Sequence, residues 1–288
     1  MIKSMRVVLD TSVFHNFDYS SVILKRLKEK GIIKVYITPM LLEEISRLMF
    51  HNRASEDLKK KLQFILDVSS ERWFEDNFVI FQSELSLLSR RKDYQFLYAQ
   101  VAKDLKDNIE LVLEGGMFDD DAERKGKADL ETNIRKAKNL RAIGVEMRQI
   151  IMQGVEKLRI KHKDITETWQ NFKDKNIERW GVQLIRRKDC YSKAFQLSAL
   201  LVWAMNKNKC PYFYNWVQGL LYTEFYNMKY PNMAIDEHAQ ADIQHLIFLR
   251  DVDAIVSEDK KFMRKAWEDL YASSGKKYFS ISEIAELC

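Results

Sequence analysis

The sequence predicts an α/β protein whose parallel sheet is built from both ends of the chain and interrupted by a large, mainly α-helical segment. Two observations lead there. Near both termini, short β-branched runs alternate with stretches of helical spacing, the pattern of a parallel sheet covered on both faces. Between about Glu56 and Pro231 strand signals are sparse, and apolar residues recur with the 3.6-residue period of helices.

Each element follows from local chemistry. Arg6-Val-Val-Leu-Asp-Thr11 reads as a short buried strand, β-branched and ended by polar residues. Ser20 to Glu29 has helical spacing, with Val22, Leu24 and Leu27 inward, and Gly31 stops it. Ile32 to Ile37 is a second strand. Thr38-Pro39 then opens a helix from Met40 to Phe50, a polar cap followed by proline in the first turn. Toward the other end, Ala239 to Leu249 is helical, Ala254-Ile-Val-Ser257 a short strand, and Lys260 to Leu270 helical. Lys277 to Ser282 makes a last strand, and Ile281 to Leu287 a closing helix. In the middle, Phe96 to Leu113, Ala128 to Leu158, Ile165 to Trp180 and Ser192 to Met205 are the clearest helices. Residues 1–55 and 232–288 thus form one α/β unit, and 56–231 a helical insertion or cap. The unit needs strands from both ends, so the two parts are not separate beads.

Composition narrows the class. The chain has 288 residues, 46% of them apolar, enough to bury one large core or two modest ones. With 31% charged residues and 3 prolines, long disordered linkers are not expected. Cys190, Cys210 and Cys288 are scattered, with no CxxC pair, which speaks for a reducing, cytoplasmic setting and against a disulfide framework or structural zinc. No uncharged apolar stretch is long enough to span a membrane. Charge is uneven: residues 86 to 234 hold 27 Lys and Arg against 19 Asp and Glu, so the middle is basic and the ends mildly acidic. An acidic centre beside a basic surface suits a cation-loaded site that receives a polyanion.

In doubly wound sheets the functional crevice lies outside the carboxyl ends of the strands. Four acids fall at or near such places. Asp10 ends the first strand, and Glu44 sits one turn into the helix after the second. Asp242 opens the helix after the insertion, and Asp259 lies two residues beyond Ser257, past the Ala-Ile-Val strand. Gathered carboxylates repel, and a divalent cation relieves the repulsion. Oxygen-only donors favour Mg²⁺ or Mn²⁺. Singly, Asp10, Asp242 and Asp259 also suit helix N-caps, and Glu44 a surface acid.

Four segments together resemble the motifs of PIN-domain nucleases. They are Val7-Val-Leu-Asp-Thr-Ser12, Leu41-Leu-Glu-Glu-Ile45, Ala241-Asp-Ile-Gln-His-Leu246 and Ala254-Ile-Val-Ser-Glu-Asp-Lys-Lys-Phe262. Tyr278-Phe-Ser-Ile-Ser282 resembles that family's last strand. The resemblance covers about residues 5 to 50 and 236 to 288 and implies an α/β/α fold and phosphodiester hydrolysis. By position it implies Asp10, Glu44, Asp242 and Asp259 as catalytic metal ligands. Glu44, not Glu43, is the acid directly before the aliphatic residue. Ser257, where the family more usually has Thr, would orient Asp259 or a water. One or two Mg²⁺ or Mn²⁺ ions would activate water on nucleic acid, RNA rather than DNA. The helical insertion departs from the small members of the family. The alternative is a PIN-like scaffold that binds RNA or a protein partner without cutting. A dehalogenase-like phosphatase would need a second Asp where Ser12 stands, and a phosphoacceptor receiver would need an acidic pair upstream.

Within the insertion, Arg135, Lys138 and Arg141, together with Arg186 and Arg187, are candidate phosphate contacts, with solvated helix faces as the competing reading. Asp119-Asp120-Asp121 reads as a solvated acidic loop, and Asp251 and Asp253 as surface residues flanking a turn. The aromatic segment from Pro211 to Tyr230 could stack bases, but suits core packing or a homodimer contact better.

Overall fold

The computed structural model describes residues 4–43, 45, 56–87, 90–115, 128, 168–187, 192–230 and 239–288. Among the described residues, five parallel strands form one sheet: β1 (Met5–Leu9), β2 (Ile33–Ile37), β3 (Ser69–Trp73), β4 (Ala254–Val256) and β5 (Lys277–Phe279), in the order β3-β2-β1-β4-β5. β1 is central because both of its faces are apolar. Val7 and Leu9 point into one core layer and Val8 into the other, all fully buried. β4 repeats the alternation, with Ala254 and Val256 on the first side and Ile255 on the second.

The first layer is completed by α1 (Phe17–Glu29), α2 (Glu56–Val68), α4 (Ala99–Leu113) and α10 (Ile281–Ala285). α1 ends as its sequence predicts: Gly31 takes a left-handed φ of 68° and its N–H bonds back to the Lys28 carbonyl. Its start differs, because a 3-10 turn, Thr11–Asn16, precedes Phe17. The expected cap at Thr38 forms, its Oγ1 accepting from the Leu41 N–H at 3.4 Å.

The second layer holds α3 (Asn77–Leu85), α5 (Trp169–Ile185), α6 (Lys193–Asn206), α7 (Pro211–Lys229), α8 (Ala239–Leu246) and α9 (Phe262–Leu270). α7 is the spine of this layer. Tyr212, Phe213, Trp216, Tyr222, Phe225 and Tyr226 are all buried along it, so the aromatic segment is core packing. These helices share one apolar cluster with Val8 and Ile255 of the sheet, which joins the helical segment to the α/β unit through a common core.

Two differences from the sequence reading stand out. β3 lies inside the stretch read as helical, and extends the sheet at its edge beside β2. Its sequence, Ser-Ser-Glu-Arg-Trp, is polar because an edge strand wets its outer residues, and only its ends are buried. Asp251 and Asp253 are not bare surface acids. Tyr212 donates to Asp251 at 2.5 Å, and the Arg6 guanidinium and backbone N–H both bind Asp253, holding its carboxyl below the usual carboxylate value. Asp119 to Asp121 lie outside the described residues, within which no helix is long and apolar enough to cross a membrane.

Candidate functional site

The strand order reverses between β1 and β4. From β1 the chain runs outward to β2 and β3, then returns to place β4 and β5 on the other flank. Loops leaving the carboxyl ends of two such strands diverge and leave a crevice. Asp10 follows β1 directly, and its N–H bonds to the Val256 carbonyl at 2.9 Å. Ser257 follows β4, and its N–H bonds to the Phe279 carbonyl at 2.9 Å. Main-chain pairing thus carries both residues to the same edge.

There a carboxylate and two hydroxyls form a closed unit. Ser257 Oγ donates to Asp10 Oδ2 at 2.8 Å, and Ser12 Oγ makes a shorter bond to the same oxygen. The Ser12 N–H adds a third bond at 3.3 Å. Each hydroxyl has one proton, spent on Asp10, so each accepts elsewhere. Ser12 Oγ takes the Glu258 N–H at 2.8 Å and Ser257 Oγ the Asp259 N–H at 3.1 Å. The two hydroxyl oxygens, 3.2 Å apart, therefore touch without a shared proton. Asp10 is 3% exposed and Ser257 1%. The β4 loop is thus bound to the β1 carboxylate through side chain and backbone alike.

The other oxygen, Asp10 Oδ1, looks elsewhere. Thr11 Oγ1 lies 3.5 Å from it, and His245 Nε2 lies 3.8 Å away, beyond hydrogen-bond length. His245 is buried, and its Nδ1 lies 3.5 Å from Thr38 Oγ1 at the carboxyl end of β2. Asp242 precedes His245 by three positions, on the same face of α8 and also buried. Asp259 is half-buried, and its Oδ1 accepts from the Lys261 N–H at 2.6 Å, a local turn at the start of α9. Tyr278, on β5, donates to the Asp259 carbonyl at 2.5 Å. Burial pushes the Tyr278 phenol well above its ordinary pKa, and the negative charges of Asp10, Asp259 and Asp242 all push in the same direction.

Of the residues proposed from sequence, Asp10 and Ser257 touch directly. Asp259 is tied to them through its backbone N–H, and Asp242 by its place one turn from His245. Asp10 and Asp259 do accept backbone N–H bonds at the start of helical segments, the local role that each alone suggests. Glu44 lies outside the described residues, as do Arg135, Lys138 and Arg141. Arg186 and Arg187 are exposed at the end of α5, far along the chain from any site residue. Among the described residues, no group of three or more His, Cys, Asp or Glu side chains is spaced to hold a metal ion. Sequence reasoning missed His245 and Tyr278 as site residues, gave Thr38 only a capping role, and named Ser12 in the first motif and as the residue that excludes a phosphatase, without a partner. A signal for His245 was present in the Asp-x-x-His spacing of Asp242-Ile-Gln-His245, which puts both side chains on one helix face. Comparison of the chain with protein-family models, with curated proteins and with solved structures found no match.

Proposed function

We propose that the chain is a PIN-like, metal-dependent nuclease that hydrolyses phosphodiester bonds in RNA in preference to DNA. The observation that supports this most is the Asp10 carboxylate, held by Ser12 and Ser257 at the point where the sheet order reverses. The preference for RNA rests on the motif resemblance, and a cytoplasmic setting on the scattered cysteines.

The donor chemistry fits Mg²⁺ or Mn²⁺: the acids are hard oxygen donors, and no thiol is among them. Mg²⁺ keeps several waters and is commonly held by one or two carboxylates plus substrate phosphate, so a dry cage of three side chains is not required. Asp10, Asp242 and Asp259, with Glu44, would hold the ion. When bound, it would supply an activated water and neutralise phosphate charge. The chain's own residues hold the geometry. Ser12 and Ser257 fix Asp10 by occupying Oδ2. That leaves Oδ1 as the more lightly bonded oxygen, facing the turn of α8 that carries His245 and Asp242. Tyr278 keeps its proton near neutrality and holds the Asp259 backbone in place.

A second reading is a PIN-like scaffold that binds RNA or a protein partner without cutting. It draws on the lack of a preformed three-ligand group among the described residues. One experiment separates the two. Labelled single-stranded RNA and DNA are incubated with the protein in Mg²⁺, Mn²⁺ or EDTA. Cleavage is expected with either cation, faster for RNA, absent in EDTA, and lost in Asp10→Asn with the fold intact by circular dichroism. An Asp10→Asn variant that cuts as fast as wild type refutes the nuclease reading, as does a wild type that binds RNA without cutting it.

A further inference from the structure

A cleft of about 540 Å³ lies between α3 and the chain from Arg90 to Tyr98, with Phe195 of α6 also in its wall. Its size falls within the range of small-ligand sites, roughly 300–1,000 Å³. Its lining is neither apolar nor a plain charged surface. The Arg91 guanidinium lies 3.7 Å over the ring of Tyr98, and the Arg90 guanidinium 5.1 Å from the centre of the Tyr94 ring. Gln82 and Ser83 contribute polar wall, and Glu75 a carboxylate.

The two arginines do different work. Arg90 is half-buried, donates to the Lys209 carbonyl at 2.5 Å, and sits 4.0 Å from the buried Glu84 carboxyl group. Arg91 donates to the Phe96 carbonyl, which fixes its plane against Tyr98, and it is the cation that the cleft presents. Tyr98 is 62% exposed, so a large aromatic surface stands in solvent beside an oriented guanidinium. An exposed ring stacked with a planar cation is chemistry for a flat heteroaromatic group that carries an anion. Bases stack on tyrosine or arginine planes, and guanidinium forks bind phosphate. Glu75 adds an acceptor for an exocyclic amino group, and its charge disfavours a bare anion with no base attached.

Glu75, in the cleft wall, is two residues before Asn77, whose side chain donates to Gln244 at 3.1 Å, and Gln244 adjoins His245 on α8. Glu75 is further tied to the cleft's opposite wall by its N–H bond to the Gln95 carbonyl at 2.9 Å.

We propose that this cleft is a subsite for one nucleotide of a single-stranded nucleic acid, its base stacked at Tyr98 and its phosphate on Arg91. The proposal deepens the nuclease reading and rests on it for the identity of the strand. Binding of an oligocytidine of about ten nucleotides, fluorescein-labelled, is followed by anisotropy in EDTA. Tyr98→Ala and Arg91→Gln should each weaken it between about 5-fold and 100-fold, the range of a lost stacking platform. Tyr98→Phe, which keeps the ring, should stay within about 2-fold of wild type, and melting curves check that all variants fold. Tyr98→Ala binding as tightly as wild type overturns the proposal, and so does a wild type that fails to bind. Hydrolysis of bis(4-nitrophenyl) phosphate in Mn²⁺, a substrate too short to reach the cleft, is measured in parallel. If that activity is present but oligonucleotide affinity ignores Tyr98, the subsite falls and the nuclease stands. If affinity depends on Tyr98 but neither substrate is ever cut, the subsite stands and the nuclease falls.

Discussion

Replacing Ser257 by Ala removes one hydroxyl from a place where nothing else can substitute for it. Ser257 is 1% exposed and Asp10 3%, so bulk water does not refill the gap. The change deletes the 2.8 Å bond to Asp10 Oδ2 and the acceptor that takes the Asp259 N–H at 3.1 Å. A hydrogen bond to a charged acceptor contributes about 1.5–3 kcal/mol, and an orphaned N–H adds to the loss. Ser12 still donates to the same carboxylate oxygen, which keeps the total toward the lower part of that range, about 2 kcal/mol. With a urea slope of about 3 kcal/mol/M for a chain of this size, the unfolding midpoint should fall by about 0.7 M. The assay is urea denaturation followed by circular dichroism. Ser12→Ala should behave similarly. The double variant should cost more than the two singles added, because each serine is the other's remaining support for one oxygen. A midpoint within about 0.2 M of wild type for Ser257→Ala would show that the unit contributes nothing to holding the two loops together.

Two other perturbations test the helical layer. Glu84, buried at the end of α3, accepts the Tyr212 and Phe213 N–H groups at the start of α7 and the Tyr94 hydroxyl. Burial nevertheless raises its carboxyl above the ordinary 4.5. The folded chain therefore holds this proton more tightly than the unfolded one, so its contribution is full below about 4.5 and is lost as pH rises through the raised value. The unfolding free energy of wild type minus that of Glu84→Gln should fall as pH increases from that point, and a flat or rising difference in urea titrations would contradict the assignment. A Cβ at Gly219 on α7 would stand 2.3 Å from Ile243 Cγ2, a branched atom with little rotameric freedom on a helix. Gly219→Ala should lose about 2–3 kcal/mol to overpacking, the upper part of the usual range at so short a contact, against about 1 kcal/mol gained in helix propensity, a net loss of about 1–2 kcal/mol. The melting temperature should drop by a few degrees, roughly 2–4 °C per kcal/mol, and an unchanged or raised value would sink the packing argument.

Much of the sheet was legible because its central strands are governed by local chemistry. Val7-Val-Leu9 and Ala254-Ile-Val256 are buried on both faces and read as continuous apolar runs. β3 was not legible for the complementary reason. Its Ser-Ser-Glu-Arg core carries no apolar alternation, and only pairing with β2, more than thirty residues earlier, makes it a strand. The core role of α7 was legible in part. Aromatic residues at helical spacing point to packing whatever the partner. What the spacing could not say is that this packing joins the sheet itself, through Phe248 and Ile255.

For the site, residues beside strand ends could be named one by one, but their meeting depends on the strand order. Asp10 and Ser257 are 247 positions apart, and only the adjacency of β1 and β4 brings them to 2.8 Å. Ser12 shows what that meeting adds. In the sequence it marks the place where a phosphatase would carry a second acid. In the fold its hydroxyl binds Asp10 Oδ2 and accepts the Glu258 N–H. A carboxylate there would face Asp10 as a like charge and could not donate to it unless protonated. A neutral hydroxyl donates to Asp10 instead, and ties the β4 loop to it with one atom. The residue type at position 12 thus gives Asp10 a neutral hydroxyl partner that holds its carboxyl group in place, where a second acid would have faced it.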